Sequence, residues 1–329
     1  MLLSIILLIF GLFILIKGAG WLVDGASAVA LRFKISPIVI GLTIIAFGTS
    51  SPELLVSVTS AFSGNTEIAL GNILGSNIAN ILLILGLSAV IYPLSVNKNT
   101  TWKEVPMSFL GAVVVLVLGV QTLLDQHRFS LAAINSKEVI GSLTFSNGLI
   151  LLFFLIIFLY YTFGIAKASG NEQPKIKQMK PLHASGLIIV GLIALGLGSK
   201  FFVDNAVILA KAVGVSELFI GLTIVAVGTS MPELVTNIVA ARKRQVELVI
   251  GNVVGSNIFN IFFILGVTAL IETIPLTGES LTDILVLFGS TLLLFLFLFV
   301  FKKRKITRIE GVFMLVCYGL YLTFLIVRG

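Results

Sequence analysis

The sequence predicts an all-α membrane protein in which ten transmembrane helices form two five-helix repeats of opposite orientation. Two observations predict it: apolar segments long enough to cross a bilayer recur along the chain, and a stretch of the first half recurs in the second. Of the 329 residues, 57% are hydrophobic and 11% are charged, whereas soluble domains are roughly one quarter charged. We therefore expect a multi-pass membrane protein.

Each span is predicted from an apolar stretch near the ~20 residues that a helix needs to cross the hydrocarbon layer. The first stretch has no Lys or Arg before Lys17, which favours a membrane helix over a cleaved signal peptide. The ten predicted spans are 2–30, 36–62, 67–92, 105–124, 147–167, 185–211, 216–241, 246–271, 281–301 and 309–327.

The basic residues predict the orientation of these spans. Most of them lie in loops that follow odd-numbered spans, including the 242–244 turn and the 302–308 loop. Because loops rich in Lys and Arg stay on the cytoplasmic side, both termini are expected outside and the linker at 168–184 in the cytoplasm. Membrane topology explains this distribution of the net charge of +7 better than nucleic-acid binding does.

An internal repeat divides the chain. Residues 41–90 align without a gap on 221–270, and about half of the aligned positions are identical. We assign 1–167 to the first repeat and 185–329 to the second. Each repeat has five spans, an odd number, so the second copy must enter the membrane from the opposite side; such inverted repeats are typical of secondary transporters, which place their substrate between them.

Two acidic residues, Glu53 and Glu233, lie at the centres of apolar spans and at equivalent places in the repeats. A carboxylate at this depth costs several kcal/mol without a compensating partner, so it predicts a functional site. Pairing with Lys17 or Lys200 is the alternative explanation. Asp24 and Asp204 also match between the repeats, and there we favour a structural role near the helix ends.

Each glutamate ends a helix-breaking motif, GTSSPE at 48–53 and GTSMPE at 228–233. Proline removes an amide donor and clashes with the carbonyl one turn earlier, so each helix is expected to break there. Broken backbone at membrane depth is tolerated where it is packed in protein or lines a polar cavity. Thr49 and Thr229 precede the glutamates by four positions and share their helix face.

The following span carries a second repeated motif, GNILGSNIAN at 71–80 and GNVVGSNIFN at 251–260. The spacing of its glycines permits close helix approach. Each copy also places a serine and an asparagine on one helix face, as Ser76 with Asn80 and as Ser256 with Asn260.

These motifs supply oxygen ligands: carboxylates, hydroxyls, amide carbonyls and loosened main-chain carbonyls. Hard cations prefer oxygen, and Ca²⁺ accepts six to eight such ligands at flexible angles. The two glutamates carry a charge that one Ca²⁺ would neutralise, and several Na⁺ ions could replace it.

At these motifs the sequence resembles the calcium/cation antiporter superfamily, near the sodium/calcium exchangers of bacteria and archaea. The resemblance covers nearly the whole chain. It implies that broken helices 2, 3, 7 and 8 surround a central ion site, while helices 1 and 6 slide across that core. It implies exchange of Ca²⁺ for Na⁺, with about three Na⁺ per Ca²⁺, across the plasma membrane.

The resemblance also implies the ligands. Calcium would be held by Glu53, Glu233, Thr49 and Thr229. Sodium would use Ser50, Ser76, Ser230 and Ser256 with the carbonyls of Ala46 and Ala226, and Asn80 and Asn260 would complete the pocket. Some members, among them the potassium-dependent branch of the superfamily, carry Asp where this chain has Asn260. K⁺ co-transport is therefore not expected here, and the exact stoichiometry is left open.

A proton/calcium antiporter on the same architecture is the main alternative, because glutamates can exchange Ca²⁺ for H⁺ directly. An intramembrane hydrolase and a passive channel are more remote alternatives. No enzyme activity and no cofactor are expected. The expected partners are Ca²⁺, Na⁺ and the lipid bilayer, with no nucleic acid and a monomer as the functional unit.

Overall fold

The computed structural model describes residues 1–96, 98–125, 138–166, 179–212, 226–301 and 304–328, and these residues form a helical protein. The helices are α1 Leu2–Phe33, α2 Pro37–Thr49, α3 Ser51–Phe62, α4 Thr66–Ile91, α5 Lys98–Asp125, α6 Phe145–Ala166, α7 Pro181–Ala212, α8 Ala226–Thr229, α9 Met231–Arg242, α10 Val246–Ile271, α11 Gly278–Leu296 and α12 Arg308–Arg328. A π-helical turn at Phe297–Phe301 extends α11.

The helices follow the predicted spans closely. Within the described ranges, eight helices are long and apolar enough to cross a membrane, or up to nine if α2 and α3, which meet at an angle of 46°, are one span. The predicted seventh span begins in 213–225, outside the described residues, and its remainder forms α8 and α9. The total of ten therefore stays a prediction.

The predicted linker, 168–184, lies outside the described residues up to 178. Its last residues already belong to α7, which begins at Pro181 rather than at the predicted 185. Proline is favoured at the first positions of a helix, where its missing amide has no intrahelical acceptor, so the sequence contained the signal for this earlier start.

The first helices of the two halves, α1 and α7, pack tightly against each other. A β-carbon added at Gly11 would lie 2.9 Å from the carbonyl oxygen of Gly198, and one added at Gly25 would lie 2.7 Å from that of Ala184. As residue numbers rise along α1, the numbers of the residues that they contact on α7 fall. The two helices are therefore antiparallel, as opposite orientation of the repeats requires.

The centre of the molecule is formed by α4 and α10. In each, 78% of the apolar stretch that could span the membrane is buried inside the protein, against 17–39% in the other long apolar helices. We expected helices 3 and 8 to be broken, and this was wrong: α4 and α10 are continuous, with π-helical turns at Asn80–Leu85 and Phe259–Leu265. Neither contains proline, so every residue keeps its amide donor and the chain needs only a widened turn.

Four short strands were not predicted. They are β1 Leu94–Ser95, β2 Val139–Leu143, β3 Ile274–Thr277 and β4 Lys305–Ile306. β1 pairs with β4 and β2 pairs with β3, both antiparallel. Each sheet thus pairs a strand of the first half with a strand of the second. This pairing connects the two halves at the ends of the bundle.

Candidate cation site

The site begins at two helix breaks with nearly identical geometry. Ser50 lies between α2 and α3 with φ −83° and ψ 9°. Ser230 lies between α8 and α9 with φ −85° and ψ 10°. In both cases a proline occupies the second position of the following helix, where the prediction placed the break. The glutamates lie in the first turns of α3 and α9, where unpaired amides and the helix dipole favour negative charge.

The two glutamates are held together by hydroxyl groups of the opposite repeat. Glu53 and Glu233 are each 1% exposed. Ser50 Oγ donates to Oε1 of Glu233 at 2.9 Å, and Ser230 Oγ donates to Oε1 of Glu53 at 3.1 Å. Oε2 of each glutamate is buried and has no hydrogen-bond donor among the described residues. The cross-linking is reciprocal, so the predicted convergence of the two acids occurs.

Neither Lys17 nor Lys200 neutralises this pair. Lys200 lies 3.3 Å from Asp204 on the same helix, and Lys17 lies over the ring of Phe13. The alternative that one of these lysines pairs with a glutamate was therefore wrong, because both side chains are engaged elsewhere on their own helices.

The matched aspartates of the repeats make different contacts. Asp24 accepts from Lys243 Nζ at 2.6 Å, which joins α1 to the turn after α9. Asp204 pairs, among the described residues, with Lys200 of its own helix. The position that matches Lys243 in the first repeat is Ser63, which has no ammonium group to offer. The structural role expected for Asp24 agrees with its ion pair.

Of the two remaining serines of the predicted set, Ser76 contacts the first glutamate. Ser76 Oγ donates to Glu53 Oε1 at 3.4 Å and accepts from Ser230 Oγ at 3.1 Å. Ser256, the counterpart of Ser76, is fully buried, and its hydroxyl has no partner in the described part of the chain. The site thus keeps an unused hydroxyl on the side of the second repeat.

The predicted asparagines lie on the two central helices. Asn80 Nδ2 donates to Asn257 Oδ1 at 2.9 Å, while its own Oδ1 is buried without a donor in the described residues. Both amide atoms of Asn260 are buried and equally unpaired within the same residues. Leaving a buried polar group unsatisfied costs about 1–3 kcal/mol, so these oxygens require a ligand.

The threonines and the predicted main-chain ligands also lie at the breaks. Thr49 Oγ1 donates to Asn252 Oδ1 at 3.1 Å, and Thr229 Oγ1 donates to Asn72 Oδ1 at 3.3 Å. The carbonyl of Ala46 accepts the amide of Ser50 at 3.0 Å and, more weakly, the hydroxyl of Thr49 at 3.4 Å. Ala226 is the first residue of α8.

Sequence reasoning missed several polar residues around the site. They are Asn72 and Asn252, Asn77 and Asn257, Ser57 and Asn237, and Ser199. The first three pairs occupy equivalent positions of the repeats, and this repetition could have identified them. Ser199 could not have been found in this way: its hydroxyl donates at 2.9 Å to the carbonyl of Gly228, which Pro232 leaves without its helical donor.

The groups at the breaks that could bind a cation are all oxygens. They are carboxylate oxygens that accept no hydrogen bond among the described residues, hydroxyls and amide carbonyls. Two carboxylates of one charge sign cannot remain close in a low-dielectric interior without a cation or proton. Oxygen ligands of this kind suit Ca²⁺ and other hard cations, so the arrangement can bind and desolvate a cation within the bilayer.

Comparison with known proteins identifies the family. The profile described as "Sodium/calcium exchanger protein" matches residues 3–164 and 183–327, which covers both halves and their helix breaks. The chain belongs to the sodium/calcium exchanger family. The resemblance inferred from the repeated motifs is confirmed.

Relatives of this exchanger align over most of its length. The sodium/calcium exchanger MaX1 of Methanosarcina acetivorans is 31% identical, with 98% of each chain covered. The inner membrane protein YrbG of Escherichia coli is 37% identical, with 82% of this chain and 81% of the relative covered. The solved structure of the sodium/calcium exchanger from Methanococcus jannaschii is 33% identical, has a TM-score of 0.82 and covers 98% of both chains.

These similarities settle the broad class of the protein. It is a multi-pass membrane transporter and not an enzyme, as predicted. The hydrolase alternative is therefore excluded. The family and the matched fold also favour Na⁺ and Ca²⁺ as the transported ions.

Proposed function

We propose that the chain is a secondary active antiporter that exchanges Ca²⁺ for Na⁺ across the plasma membrane by alternating access. The observation that carries the proposal is the buried pair Glu53 and Glu233, each bonded to a serine of the opposite repeat. A site assembled from both halves changes shape when the halves move relative to each other, which is what exposure to alternate sides requires.

Calcium binds between the two glutamates with help from the hydroxyls of Thr49 and Thr229. The unpaired Oε2 atoms of the glutamates support this role, because each has lone pairs available to a cation. Sodium occupies satellite positions formed by hydroxyls and carbonyls, with amide oxygens completing the pocket. The sodium and pocket ligands are Ser50, Ser76, Ser230, Ser256, Ala46, Ala226, Asn80 and Asn260.

Coupling follows from charge. Two ionised glutamates without a cation are costly to enclose in the low-dielectric layer, so the empty carrier resists the change of side. Occupancy by Ca²⁺ or by Na⁺ removes that cost. The two cations use the same carboxylates and exclude each other, which makes the transporter an obligate exchanger rather than a channel.

Exchange of three Na⁺ for one Ca²⁺ moves one net charge per cycle. A net charge couples transport to the membrane potential by about 2.3 kcal/mol per 100 mV.

The proposed topology has ten spans in two inverted repeats, with both termini outside and the 168–184 linker in the cytoplasm. The antiparallel packing of α1 and α7 and the strand pairing between the halves support the inverted arrangement. The basic loops support the orientation.

The decisive experiment measures ⁴⁵Ca²⁺ uptake into proteoliposomes with sodium and pH gradients imposed separately. We expect uptake that depends on an outward sodium gradient and persists when the pH gradient is collapsed. Uptake driven by the pH gradient alone would instead establish proton/calcium exchange, and uptake without any counter-ion would indicate a channel.

A variant pair connects that flux to the site. Glu53→Gln should abolish uptake because the neutral amide cannot offset the charge of Ca²⁺. Asp204→Asn is the matched control: this acid lies in α7, is paired with Lys200 on the helix surface, and should transport as the parent does. Full activity of Glu53→Gln would refute the site.

A further inference from the structure

Two asparagines outside the proposed ligand set bind the threonine hydroxyls across the boundary between the repeats. Thr229 of the second repeat donates to Asn72 of the first at 3.3 Å, and Thr49 of the first donates to Asn252 of the second at 3.1 Å. We propose that Asn72 and Asn252 are positioning residues that turn the threonine hydroxyls into cation ligands. The inference rests on the proposed function, whose calcium ligands include these threonines.

The chemistry of a hydroxyl makes the acceptor important. A threonine hydroxyl has one proton and two lone pairs, and it binds a cation only when a lone pair faces the ion. Its proton must then point elsewhere, to an acceptor fixed on the far side. The Oδ1 atoms of Asn72 and Asn252 are such acceptors.

The orientation of Asn72 is fixed by its own amide group. Asn72 Nδ2 donates to the main-chain carbonyl of Glu53 at 3.2 Å and to Ser57 Oγ at 3.0 Å. With the nitrogen held by two acceptors, the oxygen must face Thr229. Asn72 therefore connects one proposed calcium ligand of the second repeat to the backbone of the glutamate of the first.

Asn252 is held less firmly. Its Nδ2 is buried, and no acceptor for it lies among the described residues. The reason is a sequence difference between the repeats: the position of Ser57 is occupied by Asn237, whose own amide donates to the carbonyl of Glu233 at 2.8 Å. Asn237 thus replaces Asn252 at that carbonyl, so the orientation of Asn252 depends on its bond from Thr49.

The difference predicts unequal consequences. Asn72 is held by two acceptors of its amide and so orients its threonine firmly, whereas the amide of Asn252 has no acceptor among the described residues. Loss of Asn72 should therefore weaken calcium binding more than loss of Asn252. We expect about a tenfold increase in Kd for Asn72→Ala, the size of one hydrogen bond, and a smaller increase for Asn252→Ala.

Double-mutant cycles test the crossed pattern. Calcium binding to the purified full-length protein in detergent is measured by isothermal titration for Asn72→Ala, Asn252→Ala, Thr49→Val and Thr229→Val, singly and in the four combinations. If each asparagine acts through the threonine that it contacts, Asn72→Ala should have little further effect once Thr229 is Val, and Asn252→Ala little once Thr49 is Val.

The other two combinations are the matched controls. Asn72→Ala with Thr49→Val, and Asn252→Ala with Thr229→Val, should show losses that add in binding free energy, because each asparagine accepts from the other threonine. The proposal would be overturned if the losses added in binding free energy in all four combinations, or if residues of the same repeat were coupled.

Ser57→Ala guards against a folding defect as the explanation. It removes one anchor of the Asn72 amide without changing Asn72, and it should weaken calcium binding in the parent but not in the Thr229→Val background. An equal loss in both backgrounds would contradict the positioning role. A parent protein that binds Ca²⁺ but shows no sodium-driven flux would refute the proposed exchange and leave these couplings measurable.

Discussion

Each buried glutamate has one engaged oxygen and one unengaged oxygen. Oε1 accepts from a serine of the opposite repeat, whereas Oε2 has no donor in the described residues. This division differs from that of a structural carboxylate, which would have donors at both oxygens. At the residue scale, serine hydroxyls therefore hold one oxygen of each glutamate, and the proposed cation would bind the other.

Replacing Glu233 by Gln should separate cation binding from folding. The amide keeps an oxygen that can accept from Ser50 and removes a buried negative charge, so the cation-free variant should unfold at a temperature no lower than that of the parent. Calcium should stabilise the parent by about 2.7 kcal/mol at a hundredfold excess over Kd and leave the variant unchanged. Thermal unfolding with and without Ca²⁺ checks this, and equal stabilisation of both proteins would contradict it.

Asn260 offers a test of how many carboxylates the site uses. Both of its amide atoms are buried and unpaired in the described residues, so Asn260→Asp breaks no hydrogen bond among them and adds a proton-binding group. Calcium flux should then fall more steeply on acidification than in the parent, because protons compete with the cation for the added carboxylate. Flux measured across a pH series checks this.

The equivalent change in the first repeat gives the contrast. Asn80→Asp would place a carboxylate against Asn257 Oδ1, which now accepts from Asn80 Nδ2 at 2.9 Å. Two acceptors would face each other, so this variant should lose stability. Indistinguishable pH profiles for the parent and Asn260→Asp would mean that Asn260 lies too far from the ions to matter.

At the scale of elements, the central helix α10 and the broken helix α2 approach at backbone distance. A β-carbon at Gly251 would lie 2.6 Å from the carbonyl oxygen of Ile38, and one at Gly255 would lie 2.7 Å from Cα of Leu42. The glycine spacing of the second motif copy therefore has the packing role that was expected of it. The contact brings Ser256 and Asn260 to the break.

Gly255→Ala should damage this contact. The added carbon meets backbone atoms of α2, which cannot rotate away as a side chain can, so α2 must shift and the protein should lose about 1–3 kcal/mol of stability together with calcium binding. Gly289→Ala is the control, because this glycine is exposed on α11 and an alanine in a helix is favoured over glycine by up to about 1 kcal/mol. Thermal unfolding of both variants is the measurement, and equal stability would contradict the packing role.

At the scale of the whole molecule, the two halves interlock at several levels. Each glutamate bonds to the other half, each sheet contains one strand of each half, and α1 lies along α7. The halves are nevertheless not identical in detail, since Asp24 pairs with Lys243 whereas Asp204 pairs within its own helix. An exchanger of this kind need not behave symmetrically on the two faces of the membrane.

The proposed stoichiometry predicts a response to voltage. With three Na⁺ leaving for each Ca²⁺ that enters, one net positive charge moves outward per cycle, so an inside-positive potential should accelerate calcium uptake into proteoliposomes. Potassium gradients with valinomycin set the potential, and ⁴⁵Ca²⁺ uptake at fixed sodium gradient gives the rate. Uptake that does not change with potential would indicate two Na⁺ per Ca²⁺.

Much of the fold was predictable because the bilayer imposes a strict pattern. Backbone polar groups must be satisfied within each span, so apolar length located the helices, and proline located the breaks at Ser50 and Ser230. The expectation taken from the resemblance failed for α4 and α10, where continuous helices have only widened turns. The strands were missed because strands of two to five residues carry almost no sequence signal.

The sequence by itself determined which residues carry the chemistry: duplication marked the glutamates, hydroxyls and amides, and the energetic cost of a buried carboxylate marked Glu53 and Glu233 among the acids. Only the tertiary structure decided which atoms meet. The crossed bonds from Ser50 to Glu233 and from Thr229 to Asn72 join residues far apart in the chain. Such contacts depend on how antiparallel helices pack, and a linear pattern contains no information about that distance.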